Sequence, residues 1–465
     1  MSSSPTPARP EPARALPKAS PADTARVVGA LLLPAVVAGV IRRRPGGMAF
    51  TERVHWDQRG LRTMAGLRAT YGDGPLLLRV AGRTVALPLV PEDVGDILDR
   101  TPTPFSPATW EKRGALSQFQ PHGSLISEGP ERAERRQVNE AALDTSQPLH
   151  HLAPTIVATV RDEAAALLRQ TDRIGELTWD EFGAAWWRSV RRLVLGDAAR
   201  DDETLTHLLN RLRSAGNWSV LLPRRRRVRG DFLRRLRQHA VAAGPTTLAG
   251  ALTARPASER ADAVGQIPHW LFAYDAAAIT TLRTLAMLTL HPEHEARARA
   301  EVAAGGHGSD QPRTLPFLRA CAQETLRLWP TTPLLLREST EPTRWRGQSV
   351  PARTAFLIHT PYFHRSPDTA GPDGDRYVPE RWLDGRAQNQ PALVPFSAGP
   401  AECPGRNLVL LTVSTWLAAL LEGHTFQPPA HAPSPHRDGT LPAEFSPFAL
   451  RFTVRADAER ADAEA

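Results

Sequence analysis

The sequence has little cysteine. Its 465 residues include two, Cys321 and Cys403, which is too few for a disulfide framework and fits a reducing compartment. The chain also lacks internal repeats, a phosphate loop and the patterns of helix-turn-helix, zinc-knuckle or aromatic RNA-binding modules. Its formal charge of +8 therefore favours an acidic protein partner or an anionic surface over nucleic acid, and we expect no nucleic-acid partner.

Residues 27–41 near the N-terminus are expected to form a buried or membrane-touching entry helix rather than a signal peptide or a membrane anchor. Residues 27–41 are apolar, but Pro34 interrupts them and their main basic cluster follows them. They are also fewer than the roughly 20 residues that span a bilayer. We predict disordered tails at residues 1–22 and 456–465 around a single domain over residues 23–455. We expect a cytoplasmic protein without membrane contact.

The pattern of apolar residues predicts a mainly α fold with a minor β region. A hairpin is expected around Gly82, and short strands at residues 334–337 and 354–359. Several long helices are expected, at residues 57–71, 131–143, 180–195, 261–290 and 315–329. The helix at 261–290 is apolar almost all round, which predicts a position in the middle of the molecule.

The most informative stretch is residues 396–406, a glycine- and proline-rich loop that holds Cys403 and is followed at once by an apolar helix. Gly399 and Gly405 permit positive φ or close backbone approach. A cysteine before a helix N-terminus feels its positive end, which favours the thiolate, a suitable ligand for a metal such as haem iron. On this stretch alone, a buried structural cysteine is an equal alternative.

Other elements occur upstream in a fixed order. Glu324 and Arg327 stand three residues apart on one helix and can pair. Residues 379–382 read Pro-Glu-Arg-Trp within a proline- and glycine-rich segment. Asp275 lies inside the long apolar helix, where a lone buried carboxylate needs a partner.

Taken together, these residues resemble the cytochrome P450 family of haem-thiolate monooxygenases, of the bacterial type. The Cys403 loop matches the family's Phe-x-x-Gly-x-x-x-Cys-x-Gly pattern at Phe396, Gly399, Cys403 and Gly405. The Glu-x-x-Arg helix, the Pro-Glu-Arg-Trp segment and the long helix come before it in the family's order, and the resemblance runs over residues 27–455.

The resemblance implies a single haem-binding domain of the cytochrome P450 fold, with haem b held through Cys403 as axial thiolate. Glu324, Arg327 and Arg381 would form the buried charge network beneath the haem. The residues that match the family's propionate-binding cations are Arg132, Arg136 and Arg337. A surface salt bridge is the alternative role for each of these three.

The sequence departs from the family at two places. Ala401 stands where an Arg or His usually binds a propionate. On the long helix, Ala276 and Ala277 occupy the positions of the usual acid and threonine. Three explanations are open: Asp275 relays protons from a shifted position with Thr280 or water, the substrate carries the missing group, or dioxygen is not activated in the usual way. We favour the first two jointly. Alternatively, Asp275 makes a structural hydrogen bond.

By resemblance, the reaction is insertion of one oxygen atom from O₂ into a small organic substrate, in natural-product biosynthesis. The expected catalytic residues are Asp275 and Thr280. The expected walls of the substrate pocket are Trp110, Phe119, Ala273, Ala277, Leu334 and Leu335. Electrons are expected from a ferredoxin and a ferredoxin reductase. The alternatives are a peroxide-dependent enzyme, a non-oxygenating haem-thiolate enzyme, or a haem-binding sensor.

Overall fold

A computed structural model describes residues 15–457, except for residues 220, 256, 307 and 437. The helices are α1 (Pro21–Val27), α2 (Leu33–Ala38), α3 (Pro45–Arg53), α4 (Trp56–Tyr71), α5 (Pro91–Asp99), α6 (Trp110–Leu116), α7 (Gly129–Ala142), α8 (Ala153–Ile174), α9 (Trp179–Leu195), α10 (Glu203–Gly216), α11 (Arg226–Ala242), α12 (Leu248–Thr253), α13 (Ile267–Leu290), α14 (Pro292–Ala303), α15 (Pro316–Leu328), α16 (Thr360–Arg365), α17 (Pro367–Ala370) and α18 (Arg406–Leu421). The strands are β1 (Leu76–Val80), β2 (Arg83–Leu87), β3 (Phe105–Ser106), β4 (Glu176–Thr178), β5 (Leu334–Ser339), β6 (Thr343–Trp345), β7 (Gln348–Val350), β8 (Ala355–His359), β9 (His424–Phe426) and β10 (Arg451–Ala456).

Helix α13 lies at the centre of the molecule, as its apolar circumference predicts. It packs against α9, α15 and α18, and nearly all of its second half is buried. It begins at Ile267, six residues later than the sequence predicts. Pro268 accounts for the start, because a proline is tolerated in the first turn of a helix, where no N–H partner is needed. Short 3₁₀ turns occupy the residues before it.

The main sheet has the order β1-β2-β8-β5-β3. The hairpin predicted around Gly82 is confirmed as the antiparallel pair β1 and β2, and β2 pairs in parallel with β8. Strand β5 then runs antiparallel to both β8 and β3. Two small sheets, β4-β10-β9 and β6-β7, complete the β structure. The main sheet places the start of β5 directly after α15, next to the central helices.

The N-terminal segment is joined to this sheet. Leu77 donates its N–H to the carbonyl of Pro17 and accepts the N–H of Ala19, so the described part of the predicted tail is attached. The remainder of the predicted tails, at residues 1–14 and 458–465, lies outside the described residues. A π turn at Val28–Leu32 precedes Pro34, because a proline cannot supply the N–H that continues a regular helical ladder.

Among the residues that the structure describes, two segments are long and apolar enough to cross a membrane by length and composition. Pro21–Ala38 is one, and Glu259–Leu290, which contains α13, is the other. The second is mostly buried in the protein and is explained as a core helix. The expectation that the chain makes no membrane contact stays a prediction.

Candidate active site

The loop before α18 holds Cys403 in a fixed position. The N–H of Cys403 donates to the carbonyl of Phe396 at 2.9 Å. Gly399 has a φ of +64°, and a Cβ built on it would stand 2.3 Å from the carbonyl oxygen of Leu98. Glycine is therefore required at this position, as predicted. Gly405 is different, because its φ is −93° and the nearest atom to a built Cβ is 3.8 Å away. The protein alone does not require glycine there.

The thiol of Cys403 does not become acidic through the helix end alone. Burial raises its pKa above the ordinary value, and the Gly405 N–H and Arg136 oppose this only in part. The sequence-based expectation that the helix N-terminus favours a thiolate is therefore outweighed by desolvation. A cation bound at the sulfur would supply the missing stabilisation, because metal coordination deprotonates a thiol.

Beneath this loop, Glu324 is fully buried in a network of hydrogen bonds. Arg327 donates to both of its carboxylate oxygens at 2.8 Å, and Arg381 donates through Nε at 3.2 Å. Trp382 and the N–H of Val378 add further donors, each at 2.9 Å. Burial alone would raise the pKa of Glu324, but the two arginines hold it below its ordinary value.

The same network fixes the segment that leads to the Cys403 loop. Arg327 also donates to the carbonyls of His364, Gly374 and Arg376. Arg381 donates to those of Ala370 and Asp373. Two guanidinium groups on one side of a single carboxylate thus hold the irregular backbone between α16 and the loop.

Three basic side chains meet near the N-terminal ends of α6 and α7. Arg337 and Arg132 are buried, and Lys112 is half-buried, with its Nζ 2.9 Å from the carbonyl of Leu336. Burial lowers the pKa of each, and for Arg337 to about 10, with repulsion from Arg132 adding to the effect. Within the part of the chain that the structure describes, none of the three has a carboxylate within 4 Å. Such a cluster requires an anionic partner.

The other arginines near the loop pair with carboxylates, whereas Arg337 donates to Thr101, Ser397 and the carbonyl of Leu336. Arg136 pairs with Glu140 and donates to the carbonyl of Glu402 at 2.7 Å. Arg406, the neighbour of the departure at Ala401, is half-exposed and pairs with the Glu402 carboxylate. Arg406 therefore does not replace the missing propionate contact in this conformation.

Asp275 on α13 has a partner that the sequence did not reveal. It forms an ion pair with Arg213 of α10, which is almost fully buried and lies over the ring of Phe272 at 5.4 Å. The negative charge of Asp275 is thus compensated by a neighbouring helix. The hydroxyl of Thr280 donates to the carbonyl of Ala276, one turn earlier, which leaves its oxygen free to accept.

The residues predicted to line the substrate pocket differ in how far they are buried. Phe119 is fully buried and its ring lies 5.4 Å from that of Phe272, whereas Trp110 is 58% exposed. Ala277 is buried on α13, and Ala273, on the same helix, is half-buried.

Leu334 and Leu335 are consecutive residues of β5, so their side chains point to opposite faces. They pack into different apolar clusters. The prediction that both line one pocket is therefore wrong for one of them.

Lys112 and Arg213 are the residues that sequence reasoning missed. The chain contains only two lysines, Lys18 and Lys112, against 55 arginines among its 57 basic residues. A lysine in a chain that otherwise uses arginine marks a position where the choice of residue matters, because lysine differs from arginine in size, donor geometry and hydration. Arg213 belongs to an ordinary amphipathic helix, and its sequence carries no comparable signal.

These residues fit a haem. The uncompensated cations Arg132, Arg337 and Lys112 would hold its two propionates, because arginine and lysine are the usual donors to such anions. Cys403 would ligate its iron, and bound iron would offset the desolvation that raises the pKa of the thiol.

Two solved structures share the fold of this chain. The retinoic acid-bound cyanobacterial CYP120A1 matches with a TM-score of 0.70 and 19% identity, covering 84% of this chain and 93% of that one. The heme domain of cytochrome P450DA matches with a TM-score of 0.67 and 16% identity, covering 86% of this chain and 93% of the other. At these identities the likeness establishes the fold and no more. The mainly α fold with a minor β region, in a single domain, is confirmed.

The sequence comparisons find similarity to one family over part of the chain. Residues 266–446 match the sequence model described as Cytochrome P450. Cytochrome P450 714C3 of Oryza sativa subsp. japonica is 32% identical over 197 residues, 40% of this chain and 39% of that protein. Cyclooctat-9-en-7-ol 5-monooxygenase of Streptomyces melanosporofaciens is 34% identical over 164 residues, 33% and 35% of the two chains. The matches thus span little more than a third of these curated relatives. Over the matched residues, the chain is similar to the cytochrome P450 family.

Proposed function

We propose that the protein is a haem-thiolate monooxygenase that inserts one oxygen atom from O₂ into a small organic substrate. Two features together support the proposal. The Cys403 loop is held in a fixed position, and three basic residues have no carboxylate within 4 Å among the described residues. A thiolate-bound haem iron supplies dioxygen activation and favours cleavage of the O–O bond. The protein holds the sulfur at Cys403 and offers Arg132, Arg337 and Lys112 to the propionates.

The side chains on α13 define what this helix would contribute to a haem site. Ala276 and Ala277 offer no acid or alcohol. In the proposed mechanism, Asp275 holds a proton-accepting carboxylate whose charge Arg213 balances, and Thr280 offers a hydroxyl oxygen about one and a half turns further along the helix. Asp275 and Thr280 are thus the proposed proton-transfer residues, with ordered water joining them.

The substrate is proposed to be a mainly apolar natural product. Phe119, Phe272 and Ala277 supply apolar surface beside α13. One matched relative is named for the oxidation of cyclooctat-9-en-7-ol, and one matched structure contains retinoic acid. Both names describe ligands with extensive apolar surface, which supports this class for the present chain. We further propose a cytoplasmic location, with electrons supplied by a ferredoxin and its reductase.

The decisive test is spectroscopic and catalytic. The reduced, carbon monoxide-bound protein is expected to show the red-shifted absorption band of a thiolate-ligated haem, and Cys403→Ser is expected to lose it. A wild-type protein without that band would refute the proposal. Product formation from a spectrally binding substrate is then expected to require both O₂ and a reduced ferredoxin.

A peroxide-dependent enzyme is the second candidate, favoured by one observation. The positions of the usual acid and threonine are alanines. Hydrogen peroxide is dioxygen that already carries two more electrons and two protons, so its use would need fewer protons from such a relay. Turnover supported by hydrogen peroxide at a higher rate than by ferredoxin and O₂ would favour this candidate. A haem-binding sensor would give neither turnover.

A further inference from the structure

A cavity lies apart from the Cys403 site. It forms where the N-terminal segment meets the start of β5 and residues 443–446, and its volume is about 80 Å³, enough for several water molecules. No residue of the Cys403 loop or of the cluster of Arg132, Arg337 and Lys112 lines it. Among the predicted pocket walls, Leu334 alone contributes to it.

One side of this cavity is apolar. Ile279 of α13 and Leu31 of the N-terminal segment contribute aliphatic surface, and Trp329 and Phe445 contribute aromatic rings 5.0 Å apart. A ligand with a short hydrocarbon part would bury apolar surface here.

The other side carries three carboxylates, from Glu52, Asp57 and Glu444. Within the described ranges, no Arg or Lys nitrogen lies within 4 Å of any of them, and Asp57 accepts no hydrogen bond. Glu52 accepts the N–H of Ser446 at 3.2 Å, and Glu444 accepts that of Gln58 at 2.9 Å. Asp57 is an exposed residue on the lining of the cavity. Desolvation by the atoms packed around it, with Glu444 nearby, raises the pKa of its carboxyl to about 6, and burial raises the pKa of Glu52.

Two arginines line the cavity and lower the pKa of Asp57 from a distance, but neither forms an ion pair with these acids within 4 Å. Arg43 donates to the carbonyls of Gly39 and Thr331. Arg283 donates to those of Trp329 and Phe445. The terminal nitrogens of both arginines thus donate to backbone carbonyls. The three carboxylates of the cavity accept no hydrogen bond from either guanidinium group.

Two buried polar atoms on the cavity lining have no partner. They are Nε of Arg283, a residue that is 5% exposed, and Nδ1 of His359, a residue that is 6% exposed. Burial lowers the pKa of His359 to about 3, so the ring is neutral and one of its nitrogens is an acceptor. Buried polar atoms are normally satisfied, and orphaned ones point to a missing ligand or water.

The unused groups are therefore mostly acceptors with an excess of negative charge. A primary ammonium group has three donors and no acceptor, which matches this set. We propose that the cavity binds a small primary amine, with its ammonium group at Asp57 and its hydrocarbon part against Trp329 and Phe445. An oxygen atom, from the ligand or from a water molecule, would accept from Arg283 Nε.

Other ligand classes fit less well. An anion would meet three carboxylates. For a metal ion, at least three ligand atoms should lie close together, and the one such group among the described residues is Asp144, His150 and His151, elsewhere in the fold. There, the backbone N–H of Leu152 already occupies Nδ1 of His150 at 3.0 Å.

The proposal is tested by calorimetric titration of the haem-loaded protein with n-butylammonium chloride, and with n-butanol as the uncharged analogue. We expect a saturable site for the amine and none for the alcohol. Asp57→Asn is expected to weaken the amine site at least tenfold. Asp73→Asn removes an exposed carboxylate just beyond the other end of the same helix and is expected to leave the affinity unchanged.

Because amines also ligate haem iron, the Soret absorption is titrated in parallel. The iron-dependent spectral change is expected to be the same in wild type and Asp57→Asn, which separates the two events. Absence of any calorimetric site beyond iron ligation would show that the cavity holds only water and would overturn the proposal. Equal affinities of the Asp57→Asn and Asp73→Asn proteins would also overturn it. If Asp57→Asn fails to bind haem, Glu52→Gln is tested by the same criteria.

Discussion

Replacing Glu324 by Gln tests the buried network beneath the Cys403 loop. The change keeps the size of the side chain but removes the charge that balances Arg327 and Arg381. The new amide nitrogen would also face a donor, because each carboxylate oxygen accepts at least two hydrogen bonds, from the two arginines, Trp382 and the backbone of Val378.

The expected loss of stability follows from the complete burial of Glu324 and Arg327. Removing one partner of a buried ion pair costs about 3–5 kcal/mol of the free energy of unfolding, because the other charge stays buried and unpaired. With an unfolding entropy of roughly 2 cal/mol/K per residue, a loss of about 4 kcal/mol lowers the melting temperature of this chain by about 4 °C. The haem content of the purified protein is expected to fall as well, since the segment that leads to Cys403 loses its anchor.

The assay is thermal unfolding followed by circular dichroism, together with the haem-to-protein ratio. The matched control is Glu380→Gln, in the neighbouring 3₁₀ turn, because Glu380 is exposed and pairs with Arg297 on the surface. That change is expected to cost less than about 1 kcal/mol. If Glu324→Gln melts within about 0.5 °C of the control, the network does not hold the loop and the reasoning is wrong.

The same comparison has an expected pH dependence. The pKa of Glu324 is held below its ordinary value of 4.5, so the folded state binds fewer protons at this site than the unfolded state does. Its stabilising contribution is therefore complete above that value and is lost as the pH falls through the folded-state pKa. The difference in melting temperature between wild type and Glu324→Gln should shrink in acid.

Three further changes have defined outcomes. Lys112→Met should speed the transfer of haem to an apo-acceptor roughly 10- to 100-fold, since a charged hydrogen bond contributes about 1.5–3 kcal/mol. An unchanged rate would exclude Lys112 from the propionate site. Asp275→Asn should increase peroxide release per reductant consumed. Adding Arg213→Gln should restore thermal stability but not the coupling of reductant use to product formation. Coupled turnover in the single variant would remove Asp275 from the mechanism. Asp57→Asn should raise the melting temperature at pH 7.5 more than at pH 4.5. The pKa of Asp57 is raised to about 6, so its ionisation opposes folding as the pH rises. An equal effect at both pH values would contradict the raised pKa of Asp57.

Local motifs account for what the sequence predicted well. The Cys403 loop, the Glu324–Arg327 pair and the hairpin around Gly82 depend on residues close together in the chain, and their spacing carries the information. The central position of α13 is also predictable, because a helix that is apolar all round has to be surrounded by protein. By sequence, Pro268 is consistent with either a kink or the true start of that helix, and the tertiary structure, with 3₁₀ turns before it, selects the start at Ile267.

Side chains from distant segments account for what the sequence did not reveal. Asp275 was identified as a carboxylate in need of a partner, but any of many arginines was available to it. Only the packing of α10 beside α13 selects Arg213. Leu334 and Leu335 show the same limit, because the alternation of a strand separates two neighbours that a sequence motif treats alike.

The sequence by itself determined the fold class, the family resemblance and Cys403 as the candidate haem ligand, because each is encoded by residue type at fixed local spacing. The tertiary structure alone decided which charges are compensated. It paired Asp275 with Arg213, turned Arg406 toward Glu402, and left Lys112 beside Arg132 and Arg337 without a carboxylate. Charge compensation depends on distances of a few ångströms between elements far apart in the chain, and the order of residues along the chain does not set those distances.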